Sequence, residues 1–189
     1  MDYRVPKLMG LYGIPGASIA LVRDGQIVYT AAHGEANQES GQKMTADMPM
    51  RVQSISKSVT AWAVLKLAEE GKLSLDDPAE RYLKGWKLPA SDYPPDGMTV
   101  KQLLSHTAGL PLGDVFALYS PDEAMPSLKE SLTHPAILFQ MPGKGFSYSN
   151  VGYNLLELII EEVTERDFAE HEKRDPLSTW HVSFGFRME

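Results

Sequence analysis

At 189 residues, 43% of them hydrophobic, the chain suits one medium domain or two small lobes sharing a core, and it does not have the composition of a disordered segment. Cysteine is absent, which excludes disulfides and thiolate zinc sites. The net charge is −7 and the 18 basic residues are scattered, which argues against nucleic acid as a partner.

Residues 2–12 have the pattern of a short helix that stops at Gly13. Residues 17–22 (ASIALV) read as a strand, Asp24-Gly25 as a tight turn, and residues 26–32 as the returning strand of a hairpin. Residues 34–50 are polar and mixed, and a loop is expected there. A helical pattern runs from Ser54 to about Gly71. Its middle, VTAWAVLKL, is apolar nearly all round, which predicts a buried helix with Trp62 in the core. A short helix should follow Asp76-Asp77-Pro78 and run through Lys84. Thr99 should cap another over 100–105. Residues 122–133 have helical character. A loop opens at Pro142-Gly143, and residues 151–166 form an amphipathic helix. Residues 171–189 fit no single pattern. A hairpin followed by helices predicts an α+β chain, with residues 1–50 in a sheet lobe and 51–189 in a mainly helical lobe.

No apolar run reaches the roughly 18 residues needed to span a membrane. The N-terminus lacks the apolar stretch of a signal peptide. As written, the sequence reads as cytoplasmic; a leader upstream would make it periplasmic or secreted.

Ser54-Ile55-Ser56-Lys57 is a Ser-x-x-Lys sequence at the start of the apolar helix. Residues i and i+3 share a helix face, so the ammonium can reach the hydroxyl. A desolvated Lys binds its proton less tightly and can accept the proton of the serine. The helix N-terminus adds backbone N–H groups that favour negative charge on an attacked carbonyl. The pattern alone is weak. It should occur by chance roughly once in a chain of this length, and Ser40-Gly41-Gln42-Lys43 matches it from inside a polar loop. A cap and a solvated Lys explain Ser54 and Lys57 equally well by themselves.

Tyr148-Ser149-Asn150 is a Tyr-x-Asn sequence, the one such match among eight tyrosines. A Tyr beside a cation can relay a proton to and from a serine. The Asn amide can hold a substrate carbonyl or the Lys side chain. The plainer alternative is that Asn150 caps the following helix over a packed Tyr148. The five histidines lack the spacing of metal ligands. His106 is expected to bond to backbone, and Glu161, Glu162 and Glu165 to form a solvated helix face. No cofactor or metal is expected.

Taken together and in order, these segments resemble the serine β-lactamase and penicillin-binding-protein superfamily, and more closely its class C β-lactamase branch with related esterases and D-amino-acid peptidases. The similarity rests on IPGA at 14–17 leading to Asp24-Gly25, RVQSISKS at 51–58, GKLSLDDP at 71–78 and TVKQLLSHTAGL at 99–110. Pro142-Gly143, Phe146, Tyr148-Ser149-Asn150 and Gly152-Tyr153 complete it. The resemblance implies a β-lactamase/transpeptidase-like α+β fold with a helical block and part of an antiparallel sheet. It implies Ser54 as the nucleophile forming an acyl-enzyme, with its backbone N–H as one oxyanion donor. Lys57 would assist deprotonation, Tyr148 would act as partner base and then acid, and Asn150 would bind substrate or place Lys57. The substrate would be a small ester, amide or β-lactam, including D-amino-acid peptides.

The third family motif, Lys/His-Ser/Thr-Gly, is not found after Asn150. His106-Thr107-Ala108-Gly109 belongs to the earlier segment, and His181-Val182-Ser183 does not fit. Pro176-Leu177 and residues 181–186 resemble the family's Pro-Leu-Gly-Met region with Ser178-Thr179 in place of Gly-Met. The chain therefore reads as the N-terminal portion of such a protein, lacking the later strands. Two readings stay open: a serine hydrolase, or a truncated, non-catalytic fragment or pseudo-enzyme. A lone hairpin is marginal in water and leaves strand edges to cover. Self-association or a complementing chain is expected to supply the cover.

Overall fold

The computed structural model describes residues 3–113 and 126–174. The chain divides into two compact units, Met1–Arg51 and Val52–Glu189.

The first unit opens with helix α1 (Arg4–Tyr12) and continues into strands β1 (Gly16–Arg23) and β2 (Gln26–Asn37). Asp24 and Gly25 both have positive φ, 52° and 74°. Two successive left-handed residues make the type I′ turn, whose twist matches that of paired strands. The β1–β2 register slips between Leu21 and Val22, which pair with Tyr29 and Ile27. Val28 is the extra residue of a bulge.

The loop expected over 34–50 is partly a correction. β2 runs on to Asn37 and pairs with a short β3 (Gln42–Lys43), so the sheet has three antiparallel strands in the order β1-β2-β3. A turn joins them, with Asn37 Oδ1 accepting the Ser40 N–H at 2.9 Å, and Lys43 reaches Glu35 at 2.8 Å. Hydrophobic alternation does not announce this hairpin, because polar and charged side chains dominate both arms. No strand residue of this sheet is buried.

The second unit is helical. It contains α2 (Ser56–Glu69), α3 (Val100–Leu104), α4 (Leu128–Thr133), α5 (Asn150–Thr164) and α6 (Phe168–Arg174), with short 3₁₀ turns at Gln53–Ile55, Ala79–Tyr82 and Pro95–Gly97. Thr99 caps α3 through a reciprocal box with Gln102, and Ser127 caps α4 the same way with Glu130. Each box satisfies two orphan N–H groups at a helix start. Of the helical stretch expected over 122–133, only Leu128–Thr133 falls among the described residues as helix; 114–125 lie outside them. The Pro176-Leu177 and 181–186 segments also lie outside.

The core forms around α5, where Val151, Leu155, Leu156, Leu158, Ile159 and Ile160 are buried. Leu67, Met98, Leu103, Leu110 and Leu132 close on it from the other segments. Each fully buried aliphatic side chain contributes about 1.5–3 kcal/mol of transfer free energy, so this cluster dominates the stability of the unit.

Two expectations are corrected here. α2 is not buried all round: Thr60, Ala63, Val64 and Leu67 face the core, while Leu65 is 48% exposed and Trp62 is only half-buried. The acidic face of α5 is not uniformly solvated either. The Glu162 side chain is 14% exposed and pairs with Lys129 at 2.6 Å, while Glu165 is open to solvent. In both cases periodicity gave the face, and only the neighbouring helices decided what covers it.

Candidate active site

Ser54 lies in the 3₁₀ turn just ahead of α2 rather than inside the α-helix. Gln53, the residue before it, has a left-handed φ of 51°. A non-glycine residue there is uncommon, and such outliers gather at functional turns. The turn leaves Ser54 exposed and keeps the i, i+3 relation with Lys57, because side chains three apart eclipse in a 3₁₀ turn.

Three side chains meet Ser54 or its neighbour. Tyr148 Oη donates to Ser54 Oγ at 2.8 Å. Lys57 Nζ lies 3.5 Å from the same oxygen and donates to Asn150 Oδ1 at 2.7 Å. A separation of 3.5 Å is at the outer limit of hydrogen bonding, so Asn150 is the firm partner of the ammonium and Ser54 a loose one. The ammonium also stands 5.1 Å from the Tyr148 ring centroid and 5.5 Å from that of Tyr153, within cation–π range. The structure thus brings Ser54, Lys57, Tyr148 and Asn150 together, although Tyr148 is 94 residues from Ser54.

The Tyr-x-Asn segment is held by the start of α5. Ser149, not Asn150, is the cap: its Oγ accepts the Gly152 N–H at 2.8 Å and donates to the Pro111 carbonyl at 2.6 Å. With the cap supplied by its neighbour, the Asn150 side chain is available to Lys57. The Asn150 N–H donates to the Leu112 carbonyl at 3.0 Å, fixing the first residue of the helix.

The charge pattern follows from these contacts. Hydrogen bonding with Ser54 and with Lys57, together with the Lys57 charge, holds the Tyr148 phenol below the usual tyrosine range. Burial and then the Lys57 charge push the His106 imidazole down. Burial, and to a lesser degree Tyr148, raises the Tyr153 phenol. The contact between Tyr148 and Ser54 joins two hydroxyls, so it can carry a proton either way.

A cavity of about 170 Å³ lies beside Lys57, lined by Ser56, Thr60, Tyr153, Asn154 and Glu157 among others. The Glu157 carboxyl, mostly buried there, is pushed up to about 7 by burial first and then by Glu161 and Asp167. Among the described residues no group of three His, Asp or Glu side chains is arranged to hold a metal, and no helix is long and apolar enough to cross a membrane.

Sequence reasoning gave His106, Tyr153 and Glu157 no part in the site. His106 does bond to backbone, as its Nδ1 accepts the Ser149 N–H at 3.1 Å. It also stacks on Tyr148. The available signal was its place in TVKQLLSHTAGL, a segment that carried the resemblance without an assigned role.

The helical unit presents an exposed serine to a lysine, a tyrosine and an asparagine. The Beta-lactamase family profile matches residues 1–185, and the chain belongs to that family. It is 32% identical over 177 residues to Protein flp of Staphylococcus aureus strain NCTC 8325, covering 90% of this chain and 35% of that protein. It is 31% identical over 166 residues to Esterase EstB of Burkholderia gladioli, covering 82% and 42%. The octameric penicillin-binding protein homologue from Pyrococcus abyssi superposes with a TM-score of 0.82 at 32% identity, over 96% of this chain and 42% of that one. The chain therefore has the β-lactamase/transpeptidase-like fold and spans well under half the length of these relatives.

Proposed function

We propose that the chain carries the acylating centre of a serine hydrolase that cleaves a small ester, amide or β-lactam through an acyl-enzyme. One observation carries the reading: Ser54 Oγ lies 2.8 Å from Tyr148 Oη, which can take its proton as phenolate, and 3.5 Å from the Lys57 ammonium, whose charge favours that form. Lys57 and the Ser54 contact favour the phenolate form of Tyr148. The phenolate accepts the Ser54 proton as Oγ attacks the substrate carbonyl. The tetrahedral oxyanion points to the Ser54 backbone N–H at the start of the α2 turn, where the helix dipole favours negative charge. Collapse of the adduct expels the alcohol or amine, which takes the proton back from Tyr148. Water then releases the acid from Ser54 by the same relay in reverse. Asn150 holds Lys57 so that its charge stays against the phenol.

A named esterase at 31% identity favours ester substrates among these classes. The unburied sheet of the first unit supports self-association or a complementing chain as the partner, and the octameric relative points the same way.

The test is intact mass after exposure to an activated ester or a penicillin, beside Ser54→Ala. A stoichiometric acyl adduct on the parent and none on the variant supports the reading. A folded parent that gains no adduct supports the second one, a non-catalytic portion or pseudo-enzyme.

A further inference from the structure

His106 sits one residue past the C-cap of α3, with a left-handed φ of 58°. Its main chain and side chain grip the two residues that flank Tyr148. The His106 carbonyl accepts the Ser147 N–H at 2.8 Å, and His106 Nδ1 accepts the Ser149 N–H at 3.1 Å. The imidazole lies between two phenol rings, with centroids 4.4 Å from Tyr148 and 5.0 Å from Tyr153, tilted 30° and 34°. The Phe146 ring meets it edge-on at 5.8 Å. Because Nδ1 accepts a hydrogen bond, the ring is neutral and carries its proton on Nε2.

We infer that His106 is a positioning residue for Tyr148, and that its neutral ring is a condition for placing the phenol against Ser54. Protonation of Nδ1 removes the acceptor for the Ser149 N–H. It also sets a second positive charge close to Lys57, and the two like charges repel. Among the described residues, the titratable groups facing the ring are Lys57 from α2, Tyr148 from the loop before α5 and Tyr153 from α5 itself. Burial and Lys57 both favour the neutral form, so the release falls on the acid side of an ordinary histidine. The inference rests on the relay role proposed for Tyr148, but its geometric half does not.

Two variants separate the contributions. His106→Asn keeps an acceptor near the Nδ1 position and tolerates a left-handed backbone. His106→Phe keeps a flat ring and has no acceptor. Two readouts are taken on the full chain: the Ser54 acylation rate against pH, and the Tyr148 phenol titration by ultraviolet difference against Tyr148→Phe. We expect His106→Phe to lose roughly tenfold to a hundredfold in acylation rate, the scale of a misplaced reacting group, with half-saturation unchanged. It should also return Tyr148 towards ordinary tyrosine titration. His106→Asn should keep most of the rate and the lowered phenol, and lose the acid limb of the profile. An unchanged phenol titration in His106→Phe, or an acid limb that survives in His106→Asn, overturns the inference. If His106→Phe does not fold, the two readouts on His106→Asn decide alone. A parent that never acylates but shows the expected phenol titrations leaves the positioning role standing and removes the proposed function.

Discussion

Replacing Glu157 with glutamine should stabilise the chain at alkaline pH and change it far less in acid. The carboxyl is pushed from 4.5 to about 7 by burial, then by the like charges of Glu161 and Asp167. Between those two values the folded chain holds a proton that the unfolded chain has released. Stability therefore falls as pH rises from about 4.5 to about 7 and levels off above, the sign for an acid whose folded pKa is raised. The full displacement corresponds to roughly 3 kcal/mol above neutrality. Glutamine keeps the size and removes the charge, so contributions from all other groups cancel in the difference between variant and parent. Urea denaturation at pH 5 and pH 8 should show that difference growing by roughly 2–3 kcal/mol in favour of Glu157→Gln. A difference that is the same at both pH values, or that favours the parent at pH 8, would refute the burial argument.

Tyr148→Phe removes the hydroxyl 2.8 Å from Ser54 and little packing, since the ring is 38% exposed; acylation should fall roughly 10²–10⁴-fold in single-turnover assays, with circular dichroism unchanged. Gly109→Ala should lower the urea midpoint by about 1–3 kcal/mol equivalent. Its φ is 81°, and a new Cβ would run into the Gln140 carbonyl, whose neighbour Phe139 donates its N–H to the Gly109 carbonyl.

Much of the local structure was readable because its causes are local. Asp24-Gly25 states its turn in two residues, and Thr99 states the start of a helix, to which the structure adds the reciprocal bond from Gln102. The apolar stripe of α5 shows in its spacing. The β2–β3 hairpin was unreadable because Glu35, Lys43 and the intervening polar residues carry no hydrophobic alternation. Trp62 looked like core by type, but burial depends on which face of α2 the other helices cover.

The sequence by itself determined the proximity of Lys57 to Ser54, since three residues of helical turn fix that within a few ångströms. It also supplied Tyr148 and Asn150 as candidates. What only the tertiary structure decided is which group meets which. Ser149 takes the cap and leaves Asn150 for Lys57, His106 slides under Tyr148, and Glu157 loses its water at the wall of a cavity. Those outcomes depend on α2, α3 and α5 packing at one set of distances. Pairs such as His106–Ser149 and Lys57–Asn150, 43 and 93 positions apart, carry no mark of that packing in their spacing, because burial and hydrogen-bond satisfaction are settled only when the core closes.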